Sequence, residues 1–382
     1  RVLIVGSKAD VVESTLVNDV APACRLNDVS WIRPGGASWI YWAHNHGSKD
    51  FQIVKSYIDM AAKLKLPYVL IDWEWDVMGN GGTMEDALRH AKERGVRVLL
   101  WYNSSTAWLA AGPLHRLNAP ENREKEFSRL EKLGVAGVKI DFFQGDLQTT
   151  MAYCIDLLES AAKHKLMVNF HGATVPRGWA RTYPNLMSTE GVYGAEWYNN
   201  NARLTEPASR HNVTLCFTRN VVGSMDYTPC TFSDSQHPHI TTHAHELALP
   251  VLFESGIQHW ADRPESYYAQ PERVQRFLGE LPAAWDETKF LSGEPDEEIV
   301  LARRKGGVWF VAGLNGTAKE RRISVDWSAL GEGEWNVELF EDGDSKESPW
   351  KLSSFNPSDP LPRVLTLKPR GGFVAVVKPN RR

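Results

Sequence analysis

Between Ser38 and Phe277 the chain alternates short apolar runs with amphipathic stretches, and few architectures satisfy such a pattern. Short β-prone runs separated by helical stretches give parallel strands covered by helices. Eight strands are predicted: residues 38–42 (SWIYW), 67–73 (PYVLIDW), 96–102 (VRVLLWY), 136–141 (AGVKID), 166–170 (LMVNF), 186–190 (LMSTE), 213–219 (VTLCFTR) and 256–260 (GIQHW). Eight such units make a (β/α)8 barrel. Residues 50–66 place Ile53, Val54, Tyr57, Ile58, Ala61 and Leu64 on one helical face. A second helix opens at Thr83 and Asp86 and closes at Gly95, a third runs over residues 120–133 to Gly134, and a fourth over 146–164. The segment HGATVPRGWARTYPN has two prolines and no helical period, so it reads as a loop over the barrel mouth.

The texture changes after Glu280, where short alternating segments separated by turn residues take over: EEIVLARR, GGVWFVAGLNG, RRISVDW, EWNVELFEDGD, RVLTLKP and GGFVAVVKP. Alternation of apolar and polar residues marks antiparallel strands. Three units are therefore expected: a connector over 1–37, the barrel over 38–280, and a small C-terminal antiparallel β-sandwich over 281–382. The chain starts without Met in a strand-like run, and the expectation is that it is the C-terminal part of something longer.

Charge narrows the partners. Forty-three Lys and Arg against 47 Asp and Glu leave −4 at neutral pH, no field for holding a polyanion, so nucleic acid is not expected. No apolar run is long enough to span a bilayer, and the opening residues lack the zones of a signal peptide. The four cysteines lie far apart without metal-knuckle spacing. The 15 tryptophans are an excess for packing alone, and indoles are flat platforms suited to sugar rings.

Active sites of such barrels sit at the C-terminal strand ends. Those ends carry Trp42 and His44, then Asp72, Trp73 and Glu74, Tyr102 and Asn103, Lys139 and Asp141, His171, Glu190, Arg219, and finally His259 and Trp260. In VKIDFF, Lys139 and Asp141 share a face by the strand period of two, so Lys139 is expected to keep Asp141 ionised. Glu190 and Glu196 are joined by a glycine-bracketed loop, and two carboxylates brought together must share a proton or bind a cation, for which Ca2+ suits oxygen ligands. Asp72 could take sugar hydroxyls while Trp73 stacks on the ring. His44 and His46, with His237, His239, His243 and His245, offer a rival metal-dependent amide hydrolase chemistry, but the required Lys and Asp do not fall at the matching strand ends.

The run NFHGATVPRGWARTYPNLMSTEGVYGAEWYN, with VKIDFF and the opening RVLIVGSKADVVESTLV, resembles glycoside hydrolase family 97, in its retaining α-galactosidase branch. The resemblance covers essentially the whole chain. It implies a catalytic barrel, a C-terminal β-domain, a calcium ion, and exo-hydrolysis of α-linked sugars in bacteria, in the periplasm or outside the cell. It also implies an N-terminal β-super-sandwich, supplied by the rest of the polypeptide or by a separate chain, that furnishes part of the calcium shell. Inverting members carry a Glu after the His that ends strand five, where this chain has Gly172, and retaining members carry a nucleophilic Asp at the end of strand four, where Asp141 stands. By the same likeness Glu196 matches the acid/base and Glu190 a calcium ligand, with Glu196 touching the ion. Asn103 sits where inverting relatives have a further carboxylate, and Asp72, Trp73, Asn103, Lys139, His171 and Trp260 are expected to bind the substrate, an oligosaccharide or small α-galactoside. Two other readings stay open: a sugar-binding barrel without catalysis, and an inverting α-glucosidase-type relative.

Overall fold

The computed structural model describes every residue except Trp108, Arg381 and Arg382. Seven parallel strands form one sheet: β1 (Gly35–Trp39), β2 (Tyr68–Ile71), β3 (Arg97–Asn103), β4 (Gly137–Asp141), β5 (Met167–Phe170), β6 (Leu186–Thr189) and β7 (Ile257–Trp260). Their order is β6-β5-β4-β3-β2-β1-β7, which leaves one place between β6 and β7. That place is held by a short extended segment in which Met225 makes a parallel bridge to Thr189 and the Asp226 N–H donates to the Thr189 carbonyl at 3.1 Å. The barrel is therefore nearly closed, and its seventh position is one bridge long.

This corrects the expected strand over 213–219. The segment belongs to the helix Ala208–Phe217, which buries Ala208, Ser209, Asn212, Val213 and Cys216 on one side. Val213, Thr214 and Phe217 are strand-prone by type, but the helical spacing begins five residues earlier and wins. Arg219, expected at a strand end, instead ties the loop together by donating to the carbonyls of Thr189, Glu190, Gly191, Gly223 and Ser224.

The first strand starts at Gly35, inside the stretch expected as connector. Gly35 and Gly36 give no side-chain signal, yet a Cβ on Gly36 would lie 3.0 Å from Trp260 Nε1 and 3.2 Å from Leu66 Cδ2, so close strand packing selects glycine. Helices cover the outside where the sequence places them. Phe51–Leu64 starts on Asp50, whose Oδ1 accepts from the N–H groups of Gln52 and Ile53. Met84–Glu93 opens with a reciprocal Thr83 and Asp86 cap, and Pro120–Leu133 ends on Gly134 at φ 75°. No helix among the described residues is long and apolar enough to cross a membrane.

Eight further strands follow: β8 (Glu287–Glu294), β9 (Glu298–Lys305), β10 (Val308–Asn315), β11 (Arg321–Ser324), β12 (Trp335–Asp342), β13 (Trp350–Phe355), β14 (Val364–Leu367) and β15 (Gly372–Pro379). They form an antiparallel six-stranded sheet, β13-β12-β15-β10-β9-β8, and a two-stranded sheet, β11-β14. β8 and β13 carry no clean alternation and were not anticipated. One face of the larger sheet packs Val300, Ala302, Val311, Ala375 and Val377 against Ile323, Leu365 and Leu367 of the smaller one. The other face, with Leu301, Phe310, Ala312, Val374 and Val376, joins the core of the barrel.

Candidate active site

Strand parity decides which side chains reach the barrel interior. Trp39, Trp101, Lys139, Asn169 and His259 point inward, and the mouth is built on the residues that follow them. Asp141 ends β4 and is buried. Its Oδ2 accepts from Trp101 Nε1 at 3.0 Å and its Oδ1 from the Phe142 N–H at 2.7 Å.

Lys139 lies on the same face but pairs with Asp72, at 3.0 Å, and not with Asp141. Its ammonium also sits 4.6 Å from the centre of the Trp39 ring. Burial opposes its charge, yet Asp72, Glu196, Asp141 and Asp226 around it outweigh that cost and raise its proton affinity. Asp72 is already well supplied with donors: Trp39 Nε1 at 2.6 Å and Lys139 on Oδ2, and the Trp73 N–H at 2.8 Å on Oδ1.

Gly172 joins the catalytic candidates. It has φ 47°, a conformation L side chains rarely adopt, and a Cβ there would fall 2.6 Å from Asp141 Oδ1. Its N–H donates to Glu190 Oε2 at 2.7 Å. One donor atom each of His171, Glu190 and Glu196 lie within 4.8 Å of one another. Asp141, Glu190 and Glu196 therefore surround one spot at the mouth.

The electrostatics of that spot are uneven. Burial pushes the Glu196 carboxyl up to about 8, with Glu190 and Asp141 adding to the rise and Lys139 and His171 opposing it. Glu190 is raised too, by burial first and by Asp141, against His171. His171 is pushed up to about 9: burial and Lys139 disfavour its charge, but Glu190 and Asp226 outweigh them. A carboxyl that holds its proton until about pH 8 is an acid available at neutral pH. Its acid form is lost as pH rises, so kcat/KM is expected to fall on the alkaline side above about pH 8, read from a pH profile; an alkaline limb near pH 5 would remove Glu196 from that role.

Asp226 is the residue that sequence reasoning missed. It is fully buried, and its Oδ2 accepts from Asn169 Nδ2 at 2.6 Å, His171 Nε2 at 2.7 Å and His259 Nδ1 at 2.8 Å. Burial alone would lift its carboxyl, but His259 and His171 hold it well below the usual carboxylate range. His259 itself is pushed down by burial. The signal was the short GSMDYTP run, bracketed by Gly223 and Pro229 and overshadowed by the more strand-like segment before it.

Two expected sugar contacts are otherwise engaged. Trp260 pairs in register with Ser38, which faces the helix layer by donating to the Tyr57 carbonyl, and Trp260 packs there against Gly36. It is buried outside the sheet, and its inward neighbour is His259. Asn103 spends its amide on the following loop, donating to Leu109 and Ala111 and accepting from the Ser105 N–H. Trp73 stays at the mouth, partly exposed, stacked on His46 and edge-on to Tyr41, Trp101 and Phe142. The other histidines do not gather: no three-donor group among the described residues contains His44, His46, His237, His239, His243 or His245.

Two three-donor groups are present, His171 with Asp226 and His259, and His171 with Glu190 and Glu196. The first is tied together through Asp226 Oδ2, while Asp226 Oδ1 and His259 Nε2 are buried without a hydrogen-bond partner. The second fits a hard cation in kind, because its two crowded carboxyls resist ionising together, but it offers two carboxylates where Ca2+ takes six to eight oxygens.

A parallel barrel whose mouth gathers three carboxyls has the parts that glycoside hydrolysis needs. The Glycoside hydrolase 97 family model matches residues 37–192 and the Glycosyl-hydrolase 97 C-terminal, oligomerisation model residues 284–378. The chain belongs to glycoside hydrolase family 97. It is 42% identical over 357 residues to a "Probable retaining alpha-galactosidase" of Streptomyces bingchenggensis, covering 90% of this chain and 53% of that protein. It is 31% identical to a "Retaining alpha-galactosidase" of Bacteroides thetaiotaomicron, covering 98% and 59%. The chain thus spans little more than half the length of these curated relatives. Among solved structures, a β-arabinopyranosidase superposes with TM-score 0.89 at 32% identity over 97% of this chain and 59% of that one. A family 97 enzyme variant from Pseudoalteromonas sp. strain K8 superposes with TM-score 0.83 at 26% identity, over 98% and 64%.

Proposed function

We propose that the chain carries the catalytic apparatus of a retaining, exo-acting α-galactosidase. The observation that carries this is the convergence of Asp141, Glu190 and Glu196 on one mouth, where burial favours the protonated form of Glu196. Asp141 attacks the anomeric carbon as Glu196 gives its proton to the glycosidic oxygen, so the bond to the leaving sugar breaks and a galactosyl ester forms on Asp141. Glu196, now a carboxylate, takes a proton from water; the water oxygen attacks the same carbon and Asp141 is released. His171, Lys139 and Asp72 set the charge around this exchange, and Trp73 supplies an aromatic wall.

The substrate class is supported by the α-galactosidase relatives. The β-arabinopyranosidase likeness favours a second substrate, because β-L-arabinopyranose has the ring configuration of α-D-galactose without the C5 hydroxymethyl group. Glu190 and Glu196, with His171 beside them, would hold Ca2+, which would supply fixed positive charge at the mouth and draw the Glu196 carboxyl down from its metal-free position of about 8. The remaining oxygen ligands are proposed to come from an N-terminal β-super-sandwich, on the same polypeptide or a separate one, and the setting is the periplasm or the extracellular space.

Nitrophenyl α-galactoside and β-L-arabinopyranoside assayed with Ca2+ and with excess chelator test the reading, with NMR of the first-formed sugar. Hydrolysis with the α-anomer of galactose appearing first, and loss of rate in chelator, are expected. β-Galactose first would mean inversion, sugar binding without product would mean a binding barrel, and full rate in chelator would remove the metal.

A further inference from the structure

Tyr193 and Trp197, 55% and 40% exposed, are the only Phe, Tyr or Trp side chains more than about a third exposed among the described residues. They touch each other, edge to face, with ring centroids 5.0 Å apart. Both flank Glu196. The short helix Ala195–Asn200 buries Ala195, Tyr198 and Asn199, exposes Trp197 and Asn200, and directs the half-buried Glu196 toward His171 and Glu190, and the ring contact puts Tyr193 beside Trp197.

The backbone beneath the pair is held. The Ala195 N–H donates to the Tyr227 carbonyl at 2.9 Å, the Tyr193 carbonyl lies 3.0 Å from His211 Nε2, and Trp42 Nε1 donates to the Ala195 carbonyl at 3.4 Å. Tyr198 OH lies 2.6 Å from Thr231 Oγ1 behind the helix. Paired rings displayed to solvent on a fixed backbone are a binding platform in waiting, since exposed aromatic surface gains free energy only when something covers it.

What covers it follows from Glu196. An acid must stand within about 2.6 to 3.2 Å of the oxygen it protonates, so the leaving group starts at Glu196 and extends past its immediate neighbours. The apolar face of a pyranose is matched to an indole. We propose that Tyr193 and Trp197 form the leaving-group subsite, a platform on which the sugar attached to the terminal galactose stacks while Glu196 protonates the bond between them. This rests on the hydrolase reading above.

The test compares an α-galactosyl disaccharide with methyl α-galactoside, whose alcohol leaving group needs the same proton from Glu196 but has no ring, in wild type, Tyr193→Ala, Trp197→Ala and Trp197→Phe. The ratio of kcat/KM for disaccharide over methyl galactoside is expected to drop about tenfold in each alanine variant, the worth of a lost aromatic contact. Trp197→Phe should recover most of it. Equal losses on both substrates would mean that the pair only props Glu196, and an unchanged ratio would mean that no sugar stacks there; either overturns the subsite and leaves the hydrolase reading standing. A wild type that cleaves neither substrate removes both.

Discussion

Replacing Asp141 with asparagine is expected to cut turnover of a nitrophenyl α-galactoside on the order of 10^5-fold, because the group that forms the covalent intermediate is gone. The asparagine is the right size for the site and its one carbonyl oxygen keeps one of the two bonds, that from the Phe142 N–H or that from Trp101 Nε1, so the barrel should stay folded. What it lacks is the negative charge that attacks the anomeric carbon. Shortening the side chain instead, as Asp141→Ala, leaves room for a small anion, and azide should restore part of the rate. Azide entering from the Asp141 side would be transferred to the sugar as β-galactosyl azide, which chromatography can identify. A full rate in Asp141→Asn would dismiss Asp141 as the nucleophile, and α-galactosyl azide would mean attack from the other face.

Asp226→Ala is expected to lower the unfolding free energy by about 3 to 5 kcal/mol, the range for removing one partner of a buried charged cluster. Three donors, from Asn169, His171 and His259, converge on a single oxygen and would lose it together. None can turn to water, because all three side chains are almost wholly buried. Asp226→Asn keeps an acceptor and should cost less, about 1 to 3 kcal/mol. Urea midpoints measure the difference, and an alanine variant as stable as the parent would show that the cluster is not needed to hold the seventh barrel position.

The parts of the molecule legible in the sequence are those where local chemistry and packing agree. The helices capped at Asp50 and Thr83 and stopped at Gly134 fall where their residues place them, since caps and positive-φ stops act within a few residues. β2 to β6 were equally readable from apolar runs. The seventh position was not, because a strand of one bridge leaves no pattern, and the helix before it ends in the strand-prone residues Val213, Thr214 and Phe217. Glu196 and Glu190 could be paired from the glycines between them. Trp260 was misplaced because a residue at a strand end was assumed to face the mouth, when parity with Ser38 sends it outward and gives the interior to His259. The partner of Lys139 was also hidden: sequence shows its neighbour Asp141, while Asp72, 67 residues away, takes the ion pair.

The central strands β15, β10 and β9 of the six-stranded sheet have no water-facing side: one surface is sealed by the two-stranded sheet and the other by the barrel's own core. They serve both halves as a party wall. A barrel lifted out for grafting elsewhere would therefore carry away a raw apolar flank containing Phe253 and Leu249, and the excised sandwich would expose Phe310 and Phe340 in turn. Such pieces would clump, and any engineered swap of catalytic barrels in this family has to move the wall along with the room.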